Sequence, residues 1–262
     1  VNVVHHPAAI FQALDEQIRQ FEAARRPRGR QMVSSGYPSL DRALPQGGLI
    51  RGSLVEWLAA GHGSGAATLA LAAACQACGE SRTLVVVDRQ RSFYPPAAVD
   101  LGMDAARLVL VRPDNSPDEL WAIDQSLRCE GVGAVLCWLE KLDDHTFRRW
   151  QLAAEASGAL GLLVRSRQAE REPSWAELRF RVTPRSTIGV HRGLARRVVV
   201  QLLRSRGLGR AVTVELELPA ETNSHEGEPG HEPYRLPPAA ALASAAIGLG
   251  STGVERPDRG AL

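Results

Sequence analysis

The chain has 262 residues, of which 44% are apolar and 23% charged, with a formal net charge of +2. That is enough apolar material for one sizeable buried core, and the near-neutral balance means any nucleic-acid surface has to be local rather than global. No apolar run approaches the roughly 20 residues of a membrane span, and the N-terminal stretch lacks a leader's basic-then-apolar pattern, so a cytoplasmic protein is expected.

In chain order, residues 7–25 read first as an amphipathic helix. Ile10, Phe11, Leu14, Ile18 and Phe21 fall near one face, with Asp15, Glu16, Arg19 and Gln20 near the other. Such a face suits a partner or the helix's own domain. RRPRGRQ (25–31) then breaks the pattern, with Pro27 and Gly29 marking a linker. Residues 1–32 therefore form an N-terminal segment, 33–218 a core domain and 219–262 a tail.

Within the core, short apolar strands alternate with helices. Strands are expected at 53–58, 82–88, 107–112, 133–139 and 159–165. Helices are expected at 66–79, 95–101, 116–130 (capped by Ser116 with Pro117 behind it) and 145–157. This alternation predicts an α/β fold, a mostly parallel sheet with helices on both faces. Three β segments with polar interruptions, 175–182, 197–203 and 212–218, are expected as antiparallel edge strands. After Pro219 the composition shifts to Glu, Gly, Pro, Ala and His, which predicts a largely disordered tail.

Cys75 and Cys78 form a CxxC on a helix of small residues, but no second pair closes a zinc site. With Cys129 and Cys137 they read as reduced packing thiols, and no metal site is expected.

The segment WLAAGHGSGAATLAL (57–71) has the layout of a phosphate-cradling loop between a strand and a helix. Backbone N–H groups of Gly61, Gly63, Ser64 and Gly65 can wrap a phosphate. However, Ala60 stands where the first glycine belongs, and Ala66 and Ala67 occupy the lysine and Mg²⁺-hydroxyl positions. Thr68 comes one position late. Lys141 is the only lysine in the chain, so no other can serve the loop. A bare strand-to-helix turn also requires glycines, with nothing bound.

The loop does not stand alone. VSSGYPSLDRALPQGGLIRGSLVEWL (33–58) leads into it, and the combination resembles the RecA recombinase family over roughly residues 33–165. The resemblance implies a RecA-like P-loop core, truncated relative to RecA. It also places the water-activating acid at Gln90 in VVVDRQR, and the metal aspartate at Trp138 in GAVLCWL. The lysine, the hydroxyl, the base and the metal ligand are thus all replaced. The expectation is a degenerate P-loop pseudo-ATPase with no catalytic residues and no required cofactor, though residual ATP binding stays open.

By the same resemblance a first DNA loop is missing between the strand at 133–139 and the helix at 145–157, and a second falls near 165–174. Twelve arginines face three acids between residues 165 and 210, a local excess able to neutralise phosphates. Arg165, Arg167, Arg171, Arg179, Arg181, Arg196 and Arg197 are the candidate contacts to single-stranded DNA or an acidic partner.

The degenerate loop, LWAIDQSLRCEGVGAVLCWL (120–139), RRWQLAAEASGALGLLVRS (148–166) and the PSWAELRFRV strand together resemble the ImuA family. That resemblance implies an accessory role in the SOS response, in damage-induced mutagenesis and translesion synthesis. The implied partners are an ImuB-like Y-family polymerase homologue, an error-prone DNA polymerase and RecA. Two alternatives remain open. One is a DNA-stimulated ATPase using Arg89 or Arg91 for the lysine and Glu140 or Asp88 for the metal; the other is a regulator that caps RecA filaments.

Overall fold

A computed structural model describes residues 31–61, 63–185, 196–205 and 212–218. All of them fall in the first of the two units into which the chain divides, Val1–Ala220. The expected partner helix (Ile10, Phe11, Leu14, Ile18, Phe21) and the tail lie outside the described residues.

The strands are β1 (Met32–Val33), β2 (Leu49–Ile50), β3 (Leu54–Ala59), β4 (Thr83–Val87), β5 (Leu108–Val111), β6 (Val132–Leu139), β7 (Leu160–Ser166), β8 (Leu178–Pro184), β9 (Arg196–Ser205) and β10 (Val212–Leu218). The helices are α1 (Pro38–Ala43), α2 (Ala66–Cys78), α3 (Pro96–Asp100), α4 (Ser116–Leu127) and α5 (Asp144–Ser157). β1 and β2 make a small antiparallel pair. The remaining strands form one sheet in the order β10-β9-β8-β3-β7-β6-β4-β5.

From β8 across to β5 every neighbouring pair is parallel. β9 and β10 then add antiparallel strands at the β8 edge. β8 itself runs parallel to β3, which corrects the expectation that all three late strands are antiparallel. Its sequence alternates like an edge strand because its two faces meet different surroundings. Phe180 and Val182 enter the apolar core, whereas Arg179 and Arg181 face carboxylates.

Helices cover both faces. α1, α2 and α3 join one apolar core with Val55, Trp57, Val86, Leu136 and Phe180, and α4 and α5 join the other with Leu54, Val87, Cys137 and Leu163. The continuous apolar runs of β4 and β6 follow from this double burial. Trp57 is fully buried and stacks on Phe180 at 4.6 Å between ring centroids, which locks β3 to β8 on the α2 side.

Local signals set the helix ends. Asn115, not Ser116, caps α4 by accepting the Asp118 N–H at 2.9 Å; Ser116 is the first helical residue and Pro117 follows it. Asp143 caps α5 through the Thr146 N–H, and that bond holds its carboxyl below the usual carboxylate range. No helix among the described residues is long and apolar enough to cross a membrane.

α2 is nearly all Ala, Leu and Cys and is buried almost all round, so it lies close on the sheet. Its closest approach is at Gly133 of β6, where an added β-carbon would meet Cys78 Cα at 2.7 Å and Ala77 O at 3.0 Å. Backbone cannot give way as a side-chain tip can. Gly133→Ala is therefore expected to destabilise the fold by about 1–3 kcal/mol, read as a lower urea midpoint at unchanged slope.

Candidate functional site

The glycine loop runs from the end of β3 to the start of α2. Ala60 N–H bonds Val182 O of β8 at 3.1 Å, Ser64 N–H bonds Gly61 O at 3.3 Å, and Ala66 N–H reaches Ser64 Oγ at 3.4 Å. The loop thus satisfies several of its own amides, among them one at the helix N-terminus where a phosphate would bind. His62 lies outside the described residues.

Gly65 is glycine for a reason internal to the fold. It sits at φ +89°, and an added β-carbon would meet Leu218 Cδ1 at 2.6 Å and Val198 Cγ1 at 3.0 Å. Both side chains belong to the buried core. Ala66 is buried and Ala67 and Thr68 half-buried at the head of α2, so the lysine and hydroxyl positions lead into packing.

The fold does bring one cation to the loop. A β-carbon on Gly63 would lie 3.9 Å from Arg196 Nη1, and one on Gly65 3.5 Å from Arg196 Nη2. Arg196 is exposed, and no carboxylate among the described residues pairs with it. The sequence placed Arg196 among the nucleic-acid contacts. The charges it placed near the loop, Arg89 and Arg91, are instead turned towards Glu119 (2.8 Å) and Asp114 (3.7 Å).

The remaining family positions are put to structural use. Asp88 is buried and accepts from Ser92 N–H (3.1 Å) and Phe93 N–H (2.8 Å), closing the turn that carries exposed Gln90 and Arg91 at φ 57°. Both of its oxygens accept from that turn. Trp138 packs on Phe93 with centroids 6.0 Å apart, an apolar contact where a metal ligand would stand. Among the described residues no cluster of His, Cys, Asp and Glu could hold a metal ion. Cavities of ≈ 400 Å³ beside Arg128, Arg149 and Leu152, and of ≈ 180 Å³ beside Tyr37 and Leu101, include no residue of the glycine loop.

The arginine cluster is not one surface. Arg165 and Arg179, expected to meet DNA or a partner, are buried on the α4–α5 side of the sheet. There Glu56 of β3 takes Arg165 Nη1 on Oε1 at 2.8 Å and Arg179 Nε on Oε2 at 2.6 Å. Ser174 Oγ donates to the same Oε2 at 2.6 Å. Arg179 also donates to the carbonyls of Ala169, Glu170 and Glu172, and Arg165 pairs with Glu172 at 2.5 Å. Segment Arg167–Arg171 is thereby drawn down onto the sheet as a 3-10 turn. This corrects both residues' assignment, because both side chains are buried and paired inside the fold, with only Arg165 Nε left without a partner. Arg181 pairs with Glu170 and Gln201, and Arg197 with Glu217 at 2.7 Å. Arg167, Arg171 and Arg196 remain exposed.

Cys75, Cys78 and Cys137 are buried packing groups, whereas Cys129 is exposed, which corrects its reading as a packing thiol. Burial pushes Cys75 up to about 11 and Cys78 up to about 12, and raises Cys137 further.

Comparison with known proteins agrees with this architecture. The RecA N-terminal domain family matches residues 19–138. Protein ImuA from Caulobacter vibrioides strain NA1000 / CB15N is 33% identical over 141 residues, 52% of this chain and 58% of its own length. Protein ImuA from strain ATCC 19089 of the same species gives the same figures. Protein RecA from Streptomyces venezuelae is 36% identical over 106 residues, 40% of this chain and 28% of its own. The chain thus spans a little over half the length of the ImuA relatives.

Two outcomes follow from the geometry. Glu56→Ala leaves two buried guanidinium groups without their shared counter-charge and is expected to cost about 3–5 kcal/mol in urea unfolding. An effect below about 1 kcal/mol would show that water already screens the cluster. With a maleimide near neutral pH, exposed Cys129 is expected to react quickly while buried Cys75, Cys78 and Cys137 react only on unfolding. Mass spectrometry counts the adducts, and rapid native labelling on α2 would contradict the packing.

Proposed function

We propose, since the chain belongs to the ImuA family within the RecA superfamily, that it acts as a non-catalytic adaptor in damage-induced mutagenesis and translesion DNA synthesis. It would assemble with an ImuB-like Y-family polymerase homologue and an error-prone DNA polymerase, and engage RecA or single-stranded DNA. The observation that carries the reading is Trp138, which packs on Phe93 in place of a metal ligand. Ala66 and Ala67 support it, because together these replacements remove the charge stabilisation a triphosphate needs at the reacting end. Its accessible basic groups, Arg167 and Arg171, suit contacts to phosphate or acidic side chains.

A second reading has its own support. The exposed Arg196 beside Gly63 and Gly65, with no carboxylate partner among the described residues, favours weak nucleotide binding through a guanidinium in place of the ammonium.

One set of experiments separates the two. The purified chain is expected to form a complex with the ImuB-like partner in size-exclusion chromatography without nucleotide, and Arg196→Ala is expected to leave that complex intact. No ATP turnover is expected with or without Mg²⁺ and single-stranded DNA. Turnover that Arg196→Ala abolishes would overturn the adaptor reading in favour of the enzyme. Arg196→Ala is the better control than a substitution at Gly65, which would disturb the core.

A further inference from the structure

The foot of the sheet, at the opposite end of β3 from the glycine loop, holds two arginines. Arg51 sits in the turn before β3 and Arg82 immediately before β4, both half-buried. They meet between the C-termini of α2 and α5. Arg51 Nη2 donates to Ala77 O at 2.8 Å. A β-carbon at Gly158 would lie 3.7 Å from Arg82 Nη1 and 3.9 Å from Arg51 Cγ.

Three of their nitrogens have no partner. Arg51 Nε, Arg51 Nη1 and Arg82 Nη1 are each shut away from solvent without a hydrogen-bond acceptor. No carboxylate among the described residues pairs with either guanidinium. The helix C-termini offer partial negative charge, but one carbonyl bond does not satisfy two facing cations. Burial and the facing Arg82 charge push Arg51 below its usual pKa. Two half-buried like charges with unused, solvent-shielded donors are costly unless an acceptor of opposite charge joins them.

We infer that Arg51 and Arg82 form a site for a small oxyanion of the phosphate type, held between the ends of α2 and α5. A tetrahedral oxyanion presents several acceptor oxygens at once, enough for the three unpartnered nitrogens that the two guanidinium groups hold. The phosphate comes either from free solution or from a nucleic-acid backbone. This site goes beyond the adaptor reading and stands whether or not that reading does.

The test is thermal unfolding of the full chain in low-millimolar inorganic phosphate, against sodium chloride of equal ionic strength. The wild type is expected to melt roughly 2–4 °C higher in phosphate. Arg51→Met and Arg82→Met, which keep the stem and remove the charge, are expected to lose that increment. In chloride Arg82→Met is expected to melt no lower than the wild type, since one of two facing charges is gone. A structural role alone would lower the variant in both salts and leave the increment in place. Absence of an increment in the wild type, or its full persistence in Arg82→Met, would overturn the proposal. A single-stranded oligonucleotide that reproduces the increment, and loses it in both variants, would identify a backbone phosphate; an increment from inorganic phosphate alone would identify the free ion.

Discussion

A single buried carboxylate organises the centre of this molecule. Glu56 lies in β3 with β7 on one side and β8 on the other, and it draws an arginine from each. Those arginines then reach outward, Arg179 to three carbonyls of the segment between β7 and β8 and Arg165 to Glu172. One charge therefore fixes a crossover as well as a strand pair. A buried ion cluster is a poor source of net stability, because desolvation offsets the attraction. Its effect here is positional: the same donors hold residues 169–172 against β8. A segment expected to meet DNA as a loop is held down as part of the scaffold.

The same economy marks the glycine loop and its neighbours. Several positions where catalysis would need a polar group carry packing residues instead, although Gln90 is exposed. Gly65 makes room for Leu218 and Val198, Asp88 closes the turn after β4, and Trp138 rests on Phe93.

Much of this was legible in the chain itself. Strand and helix spacing, the parallel core and the RecA-type order can be read because periodicity and glycine placement are local signals. The missing lysine and the tryptophan at the metal position can be read for the same reason. What escaped was pairing at a distance. Nothing local tells Arg165 or Arg179 that Glu56 waits 109 or 123 residues earlier, so a buried cluster reads as a basic surface. Arg196 likewise reaches the glycine loop only because β9 runs antiparallel to β8 and begins at the loop's end of the sheet. The direction of β8 was hidden because arginines paired with carboxylates alternate with apolar residues just as solvated ones do.

The arginine-for-lysine composition has a practical side. Lys141 is the chain's only lysine, and it sits exposed in the short turn between β6 and α5. Guanidinium groups do not react with the common acylating reagents under mild conditions, so the side-chain amine chemistry of the chain converges on that one turn. A fluorophore or photo-crosslinker attached there would sit beyond Trp138, at the end of the sheet that also carries the glycine loop. The composition has in effect built a single side-chain amine handle into the molecule, separate from the exposed thiol of Cys129.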